Sequence, residues 1–322
     1  MENISINNIN NHNAASQSRW LLTKFSKTWE RRAQVRTFSI PDDLEYEVEK
    51  PDFIEDLIPI KDCKAYQTLT RAEKNTLLSY GWLAYNGKTI AIESKIIAPL
   101  CYDIIDGHLP GTEDNNTRKS VAETLTDESY HILLCHQAMT MTERLRHINR
   151  NIFPAYDLEI KVMALEKSHP EEWQKMLIRF AVAIVSEIFI SDYLKCLSSS
   201  KEIVTLNRET VRAHRMDEIA HGRIFTELAK LIYQELNPKQ KKFFSSILHL
   251  PVQFFASKEL NVWNSILHHV CPMAAPDIMA EILTTKWFDT STLDYANLIA
   301  LTDEIGINDF PERLKTNLLE TF

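Results

Sequence analysis

The sequence predicts an all-α fold, an elongated four-helix bundle with additional flanking helices. Three observations predict it. The chain has only six glycines in 322 residues, too few for the turns that sheets consume. Long stretches contain neither Pro nor Gly, and the prolines fall between those stretches, punctuating the chain as helix boundaries do. Hydrophobic residues make up 44% of the chain, a globular composition at a length that buries a sizeable core.

Residues 1–18 are rich in Asn and Ser and lack the apolar centre of a signal peptide, so a disordered lead-in is expected there, with residues 19–322 forming a single helical domain. Residues 19–36 carry Trp20, Leu21, Leu22, Phe25 and Trp29 between basic residues, an amphipathic helix packed on the main body. Pro41, Pro51 and Pro59 mark residues 37–68 as an irregular strap. The bundle is expected over about 70–240. Its first helix begins at Thr70, three residues before Glu73 in capping-box spacing. It runs to Gly107, with Gly87 a weak point, and is stopped by Pro110-Gly111. The second spans about 116–151 and ends before Pro154. The third starts near Pro170, a favourable first-turn residue, and reaches about 197. The fourth starts near Asn207, which can cap it, and stops at Asn237-Pro238. All connections are short except 152–169. Beyond Pro238, shorter helices near 239–249, 252–270, 276–287 and 291–305 complete the chain; His268-His269 is the one chemistry-bearing pair there.

The formal charge of -8 speaks against nucleic acid as a partner, since phosphate binding needs a basic surface. No run of about 18 apolar residues occurs, so no membrane span is expected. Cys63, Cys101, Cys135, Cys196 and Cys271 are odd in number and widely spread. That excludes a disulfide framework or a thiolate metal site and fits reduced thiols in a cytoplasmic protein.

The bundle carries a pattern of chemistry. The second and fourth helices hold Asp127-Glu128-x-x-His131 and Asp217-Glu218-x-x-His221; the first and third each hold a lone carboxylate in an apolar run, Glu93 and Glu187. Residues three apart on a helix are neighbours, so each Glu-x-x-His can serve one metal. One Glu from each of two helices and Glu-x-x-His from the other two is how bundles build two-metal carboxylate sites. Glu93 precedes Glu128 by 35 residues and Glu187 precedes Glu218 by 31, about one helical turn different, so the chain reads as two copies of one helix pair. A third match, Glu166-x-x-His169, lies in a polar connection before Pro170 and reads as a solvated pair. An ionised Glu187 among so many apolar neighbours needs a cation or partner to offset its desolvation, and a metal would supply it. A ligating imidazole donates its free N–H to a carboxylate, so Asp127 and Asp217 are expected to hold the imidazole of the facing helix. His214 breaks the symmetry: the equivalent position on the second helix is Thr124. His214 is either a core-edge histidine bonded to a neighbour or a third nitrogen ligand on one metal; its place four residues before Glu218, on the face of His221, favours the ligand.

At these residues the sequence resembles the p-aminobenzoate N-oxygenase family of ferritin-like di-iron enzymes, whose pattern is Glu, Glu-x-x-His, Glu, then His-x-x-x-Glu-x-x-His. The match falls on Glu93, Glu128, His131, Glu187, His214, Glu218 and His221. The resemblance implies a monooxygenase of natural-product biosynthesis with two non-haem iron ions. Through a peroxo-diferric intermediate it uses dioxygen to oxidise an amine nitrogen, an aryl amine first among candidates, to hydroxylamine, nitroso or nitro. It also implies an external electron donor, either a reductase or a chemical reductant, a small-molecule amine that is free or tethered to a carrier protein, and a homodimer. Four carboxylates would balance the charge of two ferrous ions, and mixed oxygen and imidazole ligands suit non-haem iron, with manganese left open. Candidates for the substrate pocket within a few turns of the ligands are Tyr85, Lys88, Tyr130, Tyr193 and Leu194, with Lys88 either a partner for a substrate carboxylate or a surface lysine. Two other readings stay open: a di-iron enzyme acting on carbon by hydroxylation, desaturation or C–C cleavage, and a non-catalytic ferritin-like metal-binding bundle.

Overall fold

The computed structural model describes residues 2–38, 46–284, 294–310 and 312, with side chains described from residue 14 onward. Among them every regular element is helical. The bundle consists of α3 (Arg71–Ile92), continued by a π-helical turn at Glu93–Ile97 and by α4 (Ala98–Ile105), together with α5 (Asn115–Arg146), α7 (Glu172–Ser199) and α8 (Thr205–Glu235). Helix α3 packs on α5, α7 on α8, and α5 on α8.

Two apolar clusters fill the bundle, and the helices pass from one to the other. Helix α3 contributes Leu77, Leu83 and Ala91 to one cluster, and Ile92 and Ile96 beyond it belong to the other. Helix α8 crosses in the same sense, from Val211 to Ile224, whereas α5 (Val121 to Ala138) and α7 (Phe189 to Leu194) cross in the reverse sense. Thus α3 and α8 point one way and α5 and α7 the other. Two successive helices pointing the same way need a long crossover between them, as in ferritin-like bundles. The long connection 152–169 is that crossover, and it contains a helix of its own, α6 (Asp157–Ser168), rather than loop alone. Glu93, Glu128, His131, Glu187, His214, Glu218 and His221 all lie at or within about a turn of the crossings, so a polar layer divides the two cores.

The helix ends follow local chemistry. Thr70 and Glu73 form the capping box at α3, and Asn237 and Gln240 form another at α9 (Pro238–Ile247). Helix α5 is capped by Asp114, whose carboxylate accepts the Thr117 amide. Asn207 does not cap α8: the helix starts at Thr205, and Asn207 is buried inside it, donating to the Asp52 carbonyl. Gly87 does not weaken α3. The Tyr156 hydroxyl occupies the space a Cβ would need there, so the glycine serves packing.

The last turn of the segment expected as a lead-in joins the fold. Helix α1 spans Glu2–Arg32 and packs on α5 and α8. Ala15 and Ser18 are buried, and the Ser18 hydroxyl donates to Glu227 on α8 at 2.5 Å. A polar composition hid this because one hydroxyl and one methyl are enough to seat that turn. The remaining elements are α2 (Lys64–Gln67), α10 (Leu250–Phe255), α11 (Leu260–Val270), α12 (Ala275–Ile282) and α13 (Ala296–Ile305). The strap expected over 37–68 contains α2 and a 3-10 turn at Glu55–Leu57; its residues 39–45, like 285–293 of the C-terminal segments, lie outside the described residues. No described helix is long and apolar enough to cross a membrane. All five cysteines are free thiols.

Candidate metal centre

Glu93 sits on the first residue of the π-helical turn, where the Ala98 amide donates to its carbonyl five residues back. Such single turns widen a helix locally and recur at functional sites. Here the turn places a carboxylate in the bundle interior at 3% exposure.

The glutamates and histidines converge. The Nδ1 of His131 lies 3.2 Å from Glu128, 3.1 Å from Glu218 and 3.9 Å from Glu93. The Nδ1 of His221 lies 2.9 Å from Glu128 and 3.5 Å from Glu218. The Nε2 of His214 lies 3.0 Å from Glu218 and 3.3 Å from Glu93, and its ring is 4.0 Å from that of His131. Two overlapping sets of donor atoms result, Glu93–His131–His214–Glu218 and Glu128–His131–Glu218–His221, each with its atoms within 4.8 Å of one another. Glu187 belongs to neither set. It is buried beside Glu218, and Glu93, Glu187, His214 and Glu218 line one small cavity of about 20 Å³.

The opposite edges of two imidazoles are held by aspartates. His131 Nε2 faces Asp217 at 3.4 Å and His221 Nε2 faces Asp127 at 3.2 Å, each across to the other helix. Asp127 accepts the indole N–H of Trp29 at 3.0 Å, with the Arg32 guanidinium 3.9 Å away. Asp217 accepts the backbone amides of Gln34 and Val35 at 2.7 and 3.0 Å. The N-terminal helix and the turn after it therefore lock both aspartates.

The electrostatics mark a cation site. Burial, reinforced by neighbouring carboxylates, pushes Glu93 and Glu187 well above the usual carboxylate range. Burial also opposes ionisation of Glu128 and Glu218, but the adjacent imidazoles, His221 foremost, outweigh it and hold both low. Burial opposes charging His131 and His221, yet the surrounding carboxylates raise both; His214, buried beside His131, is lowered. Glu93 Oε2, Glu187 Oε2 and Glu218 Oε2 are buried without hydrogen-bond partners, and Glu128 Oε1 and His221 Nδ1 face each other at 2.9 Å. Buried polar atoms are normally satisfied, and a cluster of unsatisfied lone-pair donors is the chemistry that fits a divalent metal.

Three of the five candidate pocket residues, Tyr85, Lys88 and Tyr193, line a cavity of about 100 Å³ that shares Thr89, Ile92, Ile190 and Phe255 with the small cavity at the centre. The other two do not. Tyr130 is 39% exposed: two residues after Glu128 it faces the opposite side of α5. Leu194, one residue past Tyr193, turns into the apolar core and is fully buried. Lys88 is not a surface lysine: it is partly buried on the cavity wall and its ammonium pairs with Glu259 at 2.8 Å. Glu166 pairs with Arg179 at 2.7 Å and His169 bonds the Leu165 carbonyl, remote from the centre. His268 and His269 are exposed. Sequence reasoning missed the contribution of the C-terminal helices, which supply Phe255, Glu259 and Trp263 to the cavity wall, and that of Trp29. An indole on the inner face of the first helix was the signal available for Trp29.

Fold and site together define a helical bundle with a buried carboxylate–imidazole centre able to hold metal. Residues 15–306 match the family described as p-aminobenzoate N-oxygenase AurF, and the chain belongs to that family of N-oxygenase enzymes. It is 24% identical over 300 residues to the 4-aminobenzoate N-oxygenase of Streptomyces thioluteus, covering 91% of this chain and 89% of the relative.

Proposed function

We propose that the protein is a non-haem di-iron monooxygenase that oxidises the nitrogen of an amine, an aryl amine first, with dioxygen. The observation that carries this reading is the pair of donor sets sharing His131 and Glu218, with lone pairs left unpartnered inside a family of N-oxygenases. Glu93, Glu128, His131, Glu187, His214, Glu218 and His221 would hold two iron ions, which when bound supply the activation of dioxygen. Four carboxylates match the charge of two ferrous ions, and the oxygen and nitrogen donors suit non-haem iron.

The chain's own residues do the rest. Asp127 and Asp217 each accept an imidazole N–H, which fixes the tautomer so that the Nδ1 lone pair faces inward and keeps the donor basic. The apolar residues Ile92, Ile190 and Phe255 between the two cavities keep bulk water from the centre while admitting a flat ring. In the first oxygen transfer the amine N–H becomes N–OH. The second oxygen atom of dioxygen leaves as water, taking two electrons and two protons supplied by an external reductant. Repetition leads through nitroso toward nitro.

The test is to supply the iron-loaded protein with reductant, isotopically heavy dioxygen and a panel of aryl amines. Heavy oxygen on the amine nitrogen is the expected product; oxygen on carbon would reassign the enzyme, and no oxygenated product would refute the reading.

A further inference from the structure

The larger cavity has a wall whose charge is already neutralised from within. Lys88 on α3 has its ammonium committed twice: to Glu259 Oε1 at 2.8 Å and to the Phe255 carbonyl at 3.0 Å. Glu259 is not a chance partner. It is 7% exposed and sits at φ +52°, a left-handed conformation that a non-glycine residue adopts only when its surroundings enforce it. Its second carboxylate oxygen accepts the Asp157 amide at 2.5 Å. Asp157 returns the contact, accepting the Leu260 amide and the Asn261 side chain, both at 2.6 Å. The start of α6 and the start of α11 thus clamp each other and hold Glu259 against Lys88. The other lysine on the wall, Lys258, donates to the Ile282 carbonyl at 2.8 Å.

What remains for a ligand is aromatic and nearly apolar. Tyr85 stacks on Tyr193 at 5.5 Å and on Trp82 at 5.8 Å, with Phe53, Phe255 and Trp263 nearby on the same wall. A volume of about 100 Å³ is on the scale of one benzene-sized ring. The Tyr85 hydroxyl is buried without a hydrogen-bond partner. Burial holds that hydroxyl in its neutral, proton-donating form. A carboxylate entering here would face Glu259, and Lys88 would meet it with its charge already neutralised and two of its three N–H donors engaged.

We propose that the pocket takes a neutral, single-ring aryl amine carrying no carboxylate, and that Glu259 sets this preference by neutralising Lys88. The inference rests on the N-oxygenase reading above and departs from the substrate in the relative's name, 4-aminobenzoate, which is an anion.

The experiment measures binding rather than turnover: calorimetric titration of the iron-loaded, full-length protein without reductant, using 4-methylaniline and 4-aminobenzoate at neutral pH. The wild type is expected to bind 4-methylaniline at least about tenfold more tightly. Glu259→Gln, which keeps an acceptor for the Asp157 amide and removes the charge, is expected to shift the ratio toward 4-aminobenzoate by about tenfold or more. Removing Lys88 in the Glu259→Gln background is expected to abolish that shift, because the ammonium freed in Glu259→Gln is what attracts the carboxylate. Tighter binding of 4-aminobenzoate by the wild type would overturn the proposal, and so would an unchanged ratio in a folded Glu259→Gln protein. If Glu259→Gln fails to fold, the wild-type ratio still decides. The two proposals fail separately: the predicted ratio without any N-oxygenated product counts against the enzyme reading alone, and 4-aminobenzoate bound best and oxidised counts against the pocket assignment alone.

Discussion

His221 on α8 is held at its outer nitrogen by Asp127 on α5, 3.2 Å away, and that aspartate is in turn held by the indole of Trp29 on the N-terminal helix. The same relay runs from His131 through Asp217 to the backbone amides of Gln34 and Val35. The centre is thus oriented from outside the bundle by one helix and the turn that follows it.

Asp127→Asn keeps the shape but removes the charge that makes the imidazole a strong donor. Metal affinity, read by competition with a chelator, is expected to fall about 10- to 100-fold, and Asp217→Asn should cost a similar factor because the two positions are equivalent. Unchanged affinity in both would show that the aspartates only pack.

Trp29→Phe deletes the indole N–H to Asp127 while keeping most of the ring. Urea unfolding should show a loss of about 1.5–3 kcal/mol, the range for a hydrogen bond to a charged group, with weaker metal retention. A loss confined to stability, with metal affinity intact, would separate the clamp from the centre.

Gly222 lets α8 approach α7 at the residue that carries Glu187: an added Cβ would lie 2.8 Å from the Glu187 carbonyl oxygen. Gly222→Ala is expected to destabilise the protein by about 1–3 kcal/mol and to lower metal content, since the strain falls on the helix bearing a candidate ligand. Thermal unfolding and metal analysis of the same preparation check both.

The metal-free protein should lose stability as pH rises. Glu93 and Glu187 have folded pKa values above the ordinary 4.5, so their contribution is complete below about that pH and is lost as pH climbs toward the folded values. His131 and His221, raised above 6.5, act in the same direction at higher pH. Glu128 and Glu218, depressed, act oppositely, and their contribution is lost only in acid. Urea unfolding of chelator-treated protein between about pH 5.5 and 8.5, above the ordinary Glu value and around that of His, should show stability falling with pH, while metal binds more tightly as pH rises because the ligands must shed protons. Flat or rising stability of the metal-free protein would contradict the burial of uncompensated carboxylates.

Much of the fold and the ligand pattern was legible because periodicity encodes it. Glu128 and His131, three apart, must share a helix face, and Glu187 in an apolar run has no inexpensive alternative to a cation. What was hidden has physical reasons. The amides of Gln34 and Val35 carry no side-chain signature. The π-helical turn at Glu93 has no residue type that announces it. The Lys88–Glu259 pair joins positions 171 apart through the docking of α6 against α11, which no local pattern reports. Tyr130 was misjudged by proximity in sequence, where the helical period puts it on the outer face.

The proposed chemistry turns on whether Glu93, Glu128, His131, Glu187, His214, Glu218 and His221 hold two iron ions. The most direct measurement is the iron content of the purified full-length protein after anaerobic loading with ferrous iron and removal of excess, compared with Glu187→Ala and Glu218→Ala. Two irons per chain are expected in the wild type, about one in Glu187→Ala, and none in Glu218→Ala, whose carboxylate belongs to both donor sets. A wild-type protein that retains no stoichiometric iron, or a Glu218→Ala protein that retains two, would contradict this assignment.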